Sequence, residues 1–160
     1  MMSLSDFFRR WRRNRGFGVH SPFAFRFITV VLRGRDMYYA TQRLESMPDP
    51  EWHKLLFRLV CEFRPSRIEA IRLTSREREA IALADSRTEV AVGVLDSFNS
   101  DIRLLGRDVE VVIERNITGH DSRWTSLLDS MTAGMTFTNG KTGIAVLRHD
   151  LPRQDFEINF

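Results

Sequence analysis

The chain has 160 residues, 42% hydrophobic and 28% charged, which suits one compact domain rather than two. One cysteine, Cys61, excludes an internal disulfide framework and a cysteine zinc quartet. No apolar run approaches the roughly 18 residues of a membrane span, and arginines interrupt the N-terminal apolar pattern too often for a signal peptide, so a cytoplasmic, reducing location is expected.

The net charge of +3 is unevenly spread, because residues 1–35 hold eight arginines against the single acid Asp6. Only Lys54 and Lys141 among the 24 basic residues are lysine. Arginine forks suit carboxylates, phosphates and aromatic faces, although a GC-rich genome gives the same bias.

In chain order, Leu4, Phe7, Phe8 and Trp11 are spaced i, i+3, i+4, i+7, with Arg9, Arg10, Arg12 and Arg13 around the rest of the wheel. That spacing predicts a short amphipathic helix capped by Ser3 or Ser5. After a break at 14–18, Ser21-Pro22 supplies an N-cap and a first-turn proline for a helix that carries Phe23, Phe27, Ile28, Val31 and Leu32 and stops near Gly34. A weaker helix is expected at about 37–46. Asp49-Pro50 opens another, whose Trp52, Leu55, Leu56, Leu59, Val60 and Phe63 form a broad apolar face that Pro65 ends.

Strand and helix then alternate, which is the pattern of an α/β sheet. Strands are expected at Ile68–Leu73, Val90–Leu95 and Val109–Glu114, and helices from the Thr74/Glu77 capping box to about Ala84, at Ile102–Leu105 and at Ser122–Met131. Residues 135–147 predict a hairpin with a type I′ turn at Asn139-Gly140, and Phe156, Ile158 and Phe160 alternate in a terminal strand. No repeat or long linker divides the chain. Residues 1–64 read as the helical part, and 65–160 as the sheet part, of a single domain.

Three segments, in order, resemble one family. GVHSPFAFRFITVVL (18–32) resembles the opening of class I S-adenosylmethionine-dependent methyltransferase-like proteins of the Bacteroidetes type. VGVLDSFNSDIRLL (92–105) is similar to the fourth strand of their Rossmann-like domain, and GIAVLRHDLPRQDFEINF (143–160) to their C-terminus. The resemblance implies an α/β fold with a reduced Rossmann-like sheet of about five or six strands, mostly parallel with a C-terminal antiparallel hairpin, and extra N-terminal helices.

The departures from the family pattern fall on its cofactor chemistry. Where the family has roughly E-x-G-x-x-x-G after the first strand, this chain has Glu69-Ala-Ile71-Arg-Leu-Thr-Ser75, so the acid stays while Ile71 and Ser75 replace glycines. A β-branched residue resists φ > 0. The helix ending near Ala84 runs almost directly into the strand similar to the fourth, so two strand-helix units, with the acid that holds the cofactor ribose, read as deleted. Paired acids at the fifth strand's end become Glu114-Arg115-Asn116, and the histidine of the fourth-strand loop falls on Asn99, while Asp96 keeps the family identity.

The candidate catalytic residues are therefore His20 and Asp96, and the candidate cofactor contacts are Glu69, Asp96 and Glu114. Each has a structural alternative: His20-Ser21-Pro22 also starts a helix, and an acid after a strand also caps the next one. His53, His120 and His149 are too scattered for a metal site, and Cys61 beside Val60 reads as core, so no metal is expected. The basic surface of Arg9, Arg10, Arg12 and Arg13 fits a solvated face whose apolar stripe packs on the domain or a second subunit, an arm on nucleic acid, or an anionic membrane contact.

Together these features read as a degenerate methyltransferase-like protein with a noncatalytic binding or assembly role, for which no cofactor is expected. The alternatives are a surviving S-adenosylmethionine-dependent methyltransferase with an atypical site, and a nucleic-acid-binding module using the arginine helix. The deletion predicts the strand order first, fourth, fifth, hairpin. The first strand is then a sheet edge that needs cover, which a homodimer or protein partner, the N-terminal helices or the terminal strand Phe156–Phe160 could equally provide.

Overall fold

The structure is a computed structural model that describes residues 20–35, 39–70, 72–92, 110–115, 117 and 122–160. The helix expected around Arg9, Arg10, Arg12 and Arg13, the helix expected at 102–105, and Asp96 lie outside the described residues.

Ser21 caps α1 (Pro22–Arg26), its Oγ accepting from the Ala24 amide at 3.2 Å, and Pro22 fills the first turn. The single α-helix expected up to Arg33 is instead α1 followed by a π-helical stretch, Phe27–Leu32. Ile28, Thr29, Val30 and Val31 are consecutive β-branched residues that crowd an α-helical turn. Thr29 Oγ1 also donates to the Phe25 carbonyl at 2.9 Å, competing for the acceptor an α-helical amide would use. Buried Arg58 donates from Nε to the Val31 carbonyl at 2.8 Å and satisfies the end of the widened turn.

The capping role of Ser21 sets a test of this segment. Ser21→Ala is expected to lower stability by about 1 kcal/mol, whereas His20→Ala, at an exposed position, should stay within about 0.5 kcal/mol. Urea unfolding of both variants checks this, and the reverse ranking would move the weight of the segment onto His20.

The helix expected at 37–46 is the shorter α2 (Thr41–Glu45), and α3 (Pro50–Phe63) follows. Trp52, Leu55, Leu56, Leu59 and Val60 of α3 are all buried in the main core, as the spacing predicts. Then come β1 (Arg67–Ala70), α4 (Ser75–Ala84), β2 (Glu89–Val92), β3 (Glu110–Arg115), α5 (Ser122–Ser130), β4 (Met135–Thr138), β5 (Thr142–Leu147) and β6 (Gln154–Glu157). The six strands form one sheet in the order β2-β1-β3-β5-β4-β6. β1 is parallel to β2 and β3, β5 is antiparallel to β3 and β4, and β6 is parallel to β4.

This order corrects the deletion reading. Ile68 pairs with both Val90 and Val111, so β1 is internal, and among the described residues the sheet's edges are β2 and β6. The cause is local. The chain returns along α4, and the short turn at 85–88 is fastened to the turn before β1, Glu89 N donating to the Ser66 carbonyl at 2.8 Å and Thr88 Oγ1 to that of Pro65 at 3.1 Å. β2 thus stands where a doubly wound sheet has its second strand, and β3 where it has its fourth.

Alternation along the strands divides the core. Ile68, Ala70, Val111, Ile113, Ile144, Val146, Met135 and Phe137 join α1, its π-helical extension and α3 on one face. Val112, Ala145 and Leu147 meet Trp124 and Leu127 of α5 on the other. Gly143 is required there, because a Cβ would lie 2.5 Å from the Trp124 ring. The hairpin turn is not type I′, which needs positive φ at both central residues. Only Gly140 has it (φ 86°), while Asn139 Oδ1 closes the turn by accepting from the Lys141 and Thr142 amides at 2.9 and 2.8 Å.

Candidate functional site at the carboxyl edge of the sheet

β1 and β3 run parallel and end side by side, and α4 starts just beyond β1. Two strand ends and a helix start converge where α/β sheets take ligands.

The capping box legible at Thr74 and Glu77 is the seed of a larger cluster. Thr74 Oγ1 accepts from the Glu77 amide at 3.2 Å, and Glu77 Oε2 accepts from the Thr74 amide and hydroxyl at 2.7 Å each. Glu77 Oε1 accepts from Trp52 Nε1 at 2.7 Å and from Arg115 Nη1 at 3.1 Å. Arg115 Nη2 reaches Asp49 Oδ2 at 3.1 Å, and its guanidinium carbon lies 5.0 Å from the centre of the Trp52 ring. Glu77 is 2% exposed. Burial alone would raise its pKa, but the hydrogen bonds from Thr74, Trp52 and Arg115 outweigh burial and hold it below the ordinary glutamate value.

This arrangement makes Glu77 an acceptor for four donors rather than a base with an open lone pair aimed at a substrate. Its chemistry is that of a fixed internal anion. S-adenosylmethionine needs close backbone approach and open amides after the first strand. Here the Thr74 amide is bonded to Glu77, and the end of β3 carries Arg115 stacked on Trp52. The Thr74 amide and the Arg115 guanidinium are thus engaged by groups of the chain itself.

The sequence-derived candidates sit elsewhere. Glu69 is buried inside β1 and ion-paired with Arg67 at 2.8 Å. It lies opposite Val112, so Glu114, two residues along β3 and also buried, shares its face at a Cα separation of about 8 Å by strand spacing. The two acids are brought together, but on the face of the sheet opposite the Glu77 cluster. His20 is exposed ahead of α1. Cys61 is half-buried near the end of α3, packed against the smaller core cluster of Ala40, Leu44, Met47, Phe57 and Ala80 and beside an open cleft. His53 is buried, with Nδ1 2.5 Å from the Asp49 carbonyl oxygen. Among the described residues no group of three His, Cys, Asp or Glu side chains is placed to hold a metal, and no helix is long and apolar enough to cross a membrane.

Sequence reasoning did not bring Asp49, Trp52 and Arg115 together. A usable signal was Trp52 on an apolar face, since a buried indole N–H needs an acceptor. The fold is that of an α/β protein with a reduced Rossmann-like sheet, and at the carboxyl ends of β1 and β3 Arg115 pairs with Glu77 and Asp49. No protein-family model, curated protein or solved structure matches the chain.

Proposed function

We propose that this chain is a methyltransferase-like protein that has given up cofactor chemistry and acts by binding or assembly. The observation that carries the reading is the Arg115–Glu77–Trp52 cluster at the ends of β1 and β3. Arg115 puts a cation at the end of β3, and its counter-charges, Glu77 and Asp49, come from within the chain. The replacement of glycines by Ile71 and Ser75 adds to it. Among the described residues β2 and β6 are the edge strands, where backbone is offered to a partner, a homodimer included.

A second reading, a surviving S-adenosylmethionine-dependent transferase, draws on the strand order. With β2 in the second position, the acid Asp96 follows it by four residues in the sequence, and doubly wound sheets hold a cofactor ribose with an acid that follows the second strand. Calorimetry with S-adenosylmethionine and its demethylated product separates the two. No heat of binding is expected up to about 1 mM ligand, and a micromolar dissociation constant, about −8 kcal/mol, overturns the noncatalytic reading in favour of the second.

A further inference from the structure

We propose that the opposite, amino edge of the sheet carries a small-molecule site for a ligand that joins an anionic group, phosphate or carboxylate, to a flat ring. α3 and α4 both end at this edge, and the turns that lead from them into β1 and β2 are held together by the two hydrogen bonds from Glu89 and Thr88. A cleft of 510 Å³ opens beside them, lined among others by Tyr39, Cys61, Arg64, Leu83, Asp85 and Arg87. That volume lies in the range of roughly 300–1,000 Å³ typical of small-molecule sites.

Each part of the lining has a definite chemistry. Tyr39 is 81% exposed, yet its hydroxyl donates to the Leu83 carbonyl at 2.7 Å and its ring meets Phe57 edge-on at 5.7 Å. An exposed aromatic ring held at both its tip and its edge is a ready stacking surface. Cys61 is half-buried, and burial pushes its thiol pKa up despite the nearby Arg64, so it remains a neutral thiol in the lining. Arg87 is aligned by Asp85, which accepts from its Nε at 3.0 Å and its Nη2 at 2.8 Å. Its side chain is 82% exposed, with Nη1 outside that pair.

Arg64 supplies the second positive charge, and its backbone makes the case more specific. It follows α3 in the left-handed region, φ 45° and ψ 55°, the position after a helix that glycine fills without strain. The chain keeps an arginine there, beside Cys61 and Asp85, where a glycine would be less strained. Among the described residues of the lining, two guanidinium groups stand against one acid, a net positive charge, and planar arginine forks match the oxygens of a phosphate or carboxylate. The site lies at the other end of the strands from Glu77 and does not depend on how that edge is read.

Calorimetry on the whole chain tests the proposal with adenosine 5′-monophosphate and salicylate as ring-bearing anions, and with adenosine and inorganic phosphate as the separated parts. At least one ring-bearing anion is expected to bind with a dissociation constant below about 1 mM, about tenfold or more tighter than either part alone. Which of the two binds tells a phosphate carrier from a carboxylate carrier. Arg64→Gly should weaken that binding at least about tenfold while melting no earlier than the parent, because the strain is relieved. Arg64→Gln, which removes the charge but keeps a polar side chain and the backbone strain, should weaken it equally, and Tyr39→Ala should weaken it without unfolding the chain. Failure of both ring-bearing anions to bind, or full-strength binding in Arg64→Gln, overturns the proposal.

Discussion

Phe27→Ala is expected to lower the melting temperature by roughly 6–20 °C, taking about 3–5 kcal/mol for a buried Phe→Ala change and about 2–4 °C per kcal/mol for a domain of this size. Phe27 is fully buried in the π-helical stretch and stacks on Phe137 of β4 with ring centres 3.9 Å apart and planes 10° apart. Phe63 lies 5.5 Å from Phe27 and meets Phe23 at 5.1 Å, while Phe137 continues to Phe156 of β6 at 5.2 Å. Phe27 is the one ring in this series that joins the helical layer to the sheet, so its removal opens a void both layers line. Phe27→Leu restores most of the volume without the ring and should cost under about 1.5 kcal/mol. Scanning calorimetry of the two variants checks this. Equal losses would mean that the ring series does not hold the layers together.

The difference between what could and could not be read in advance follows sequence distance. Ser21-Pro22 and Thr74/Glu77 were legible because a cap is formed by residues three positions apart, and both caps form as written. The buried face of α3 was legible for the same reason, since one helix's spacing declares which residues lie together. The strand order was not. Periodicity marks Val90 as a strand residue but not which side of β1 it takes, and a likeness of residues 92–105 to a fourth strand placed it wrongly. The π-helical stretch was missed because its apolar spacing suits an α-helix, while its β-branched run and the Thr29 hydroxyl act on the backbone itself.

The candidate site shows the same division. Glu77 was visible as a capping residue, yet its partners Trp52 and Arg115 lie 25 and 38 positions away and Asp49 is 66 from Arg115, so only the closed sheet brings them together. Arg115 itself stood out in the sequence as a cation where the resembled family has acids. What the sequence lacked was the identity of its counter-charge, and that decides its chemistry. An arginine facing an open crevice recruits an anion, whereas one paired with Glu77 and Asp49 closes the crevice.

That closure makes Glu77→Gln the second large effect. Both carboxylate oxygens of Glu77 accept, from Trp52 and Arg115 on one and from Thr74 on the other. A glutamine offers one oxygen and turns an N–H₂ toward donors, so at least one buried donor loses its partner, at about 1–3 kcal/mol. The Arg115 contact adds less, because that side chain is 44% exposed and solvent screens it. A loss of about 2–3 kcal/mol is expected at pH 7. The pH dependence gives the sharper test. Glu77's folded pKa lies below its ordinary value, so its contribution is fully present above the unfolded value of roughly 4.3 and is lost as pH falls through the lower, folded one. Glu79, Asp85 and Asp150 are depressed as well, but they titrate alike in parent and variant and cancel in the difference. Urea unfolding at pH 7, 5, 4 and 3 should therefore show a gap between the two proteins that is constant down to about pH 5 and narrows below about pH 4. A gap that stays constant to pH 3 would mean that Glu77 is held by shape alone and that its charge does not close the edge.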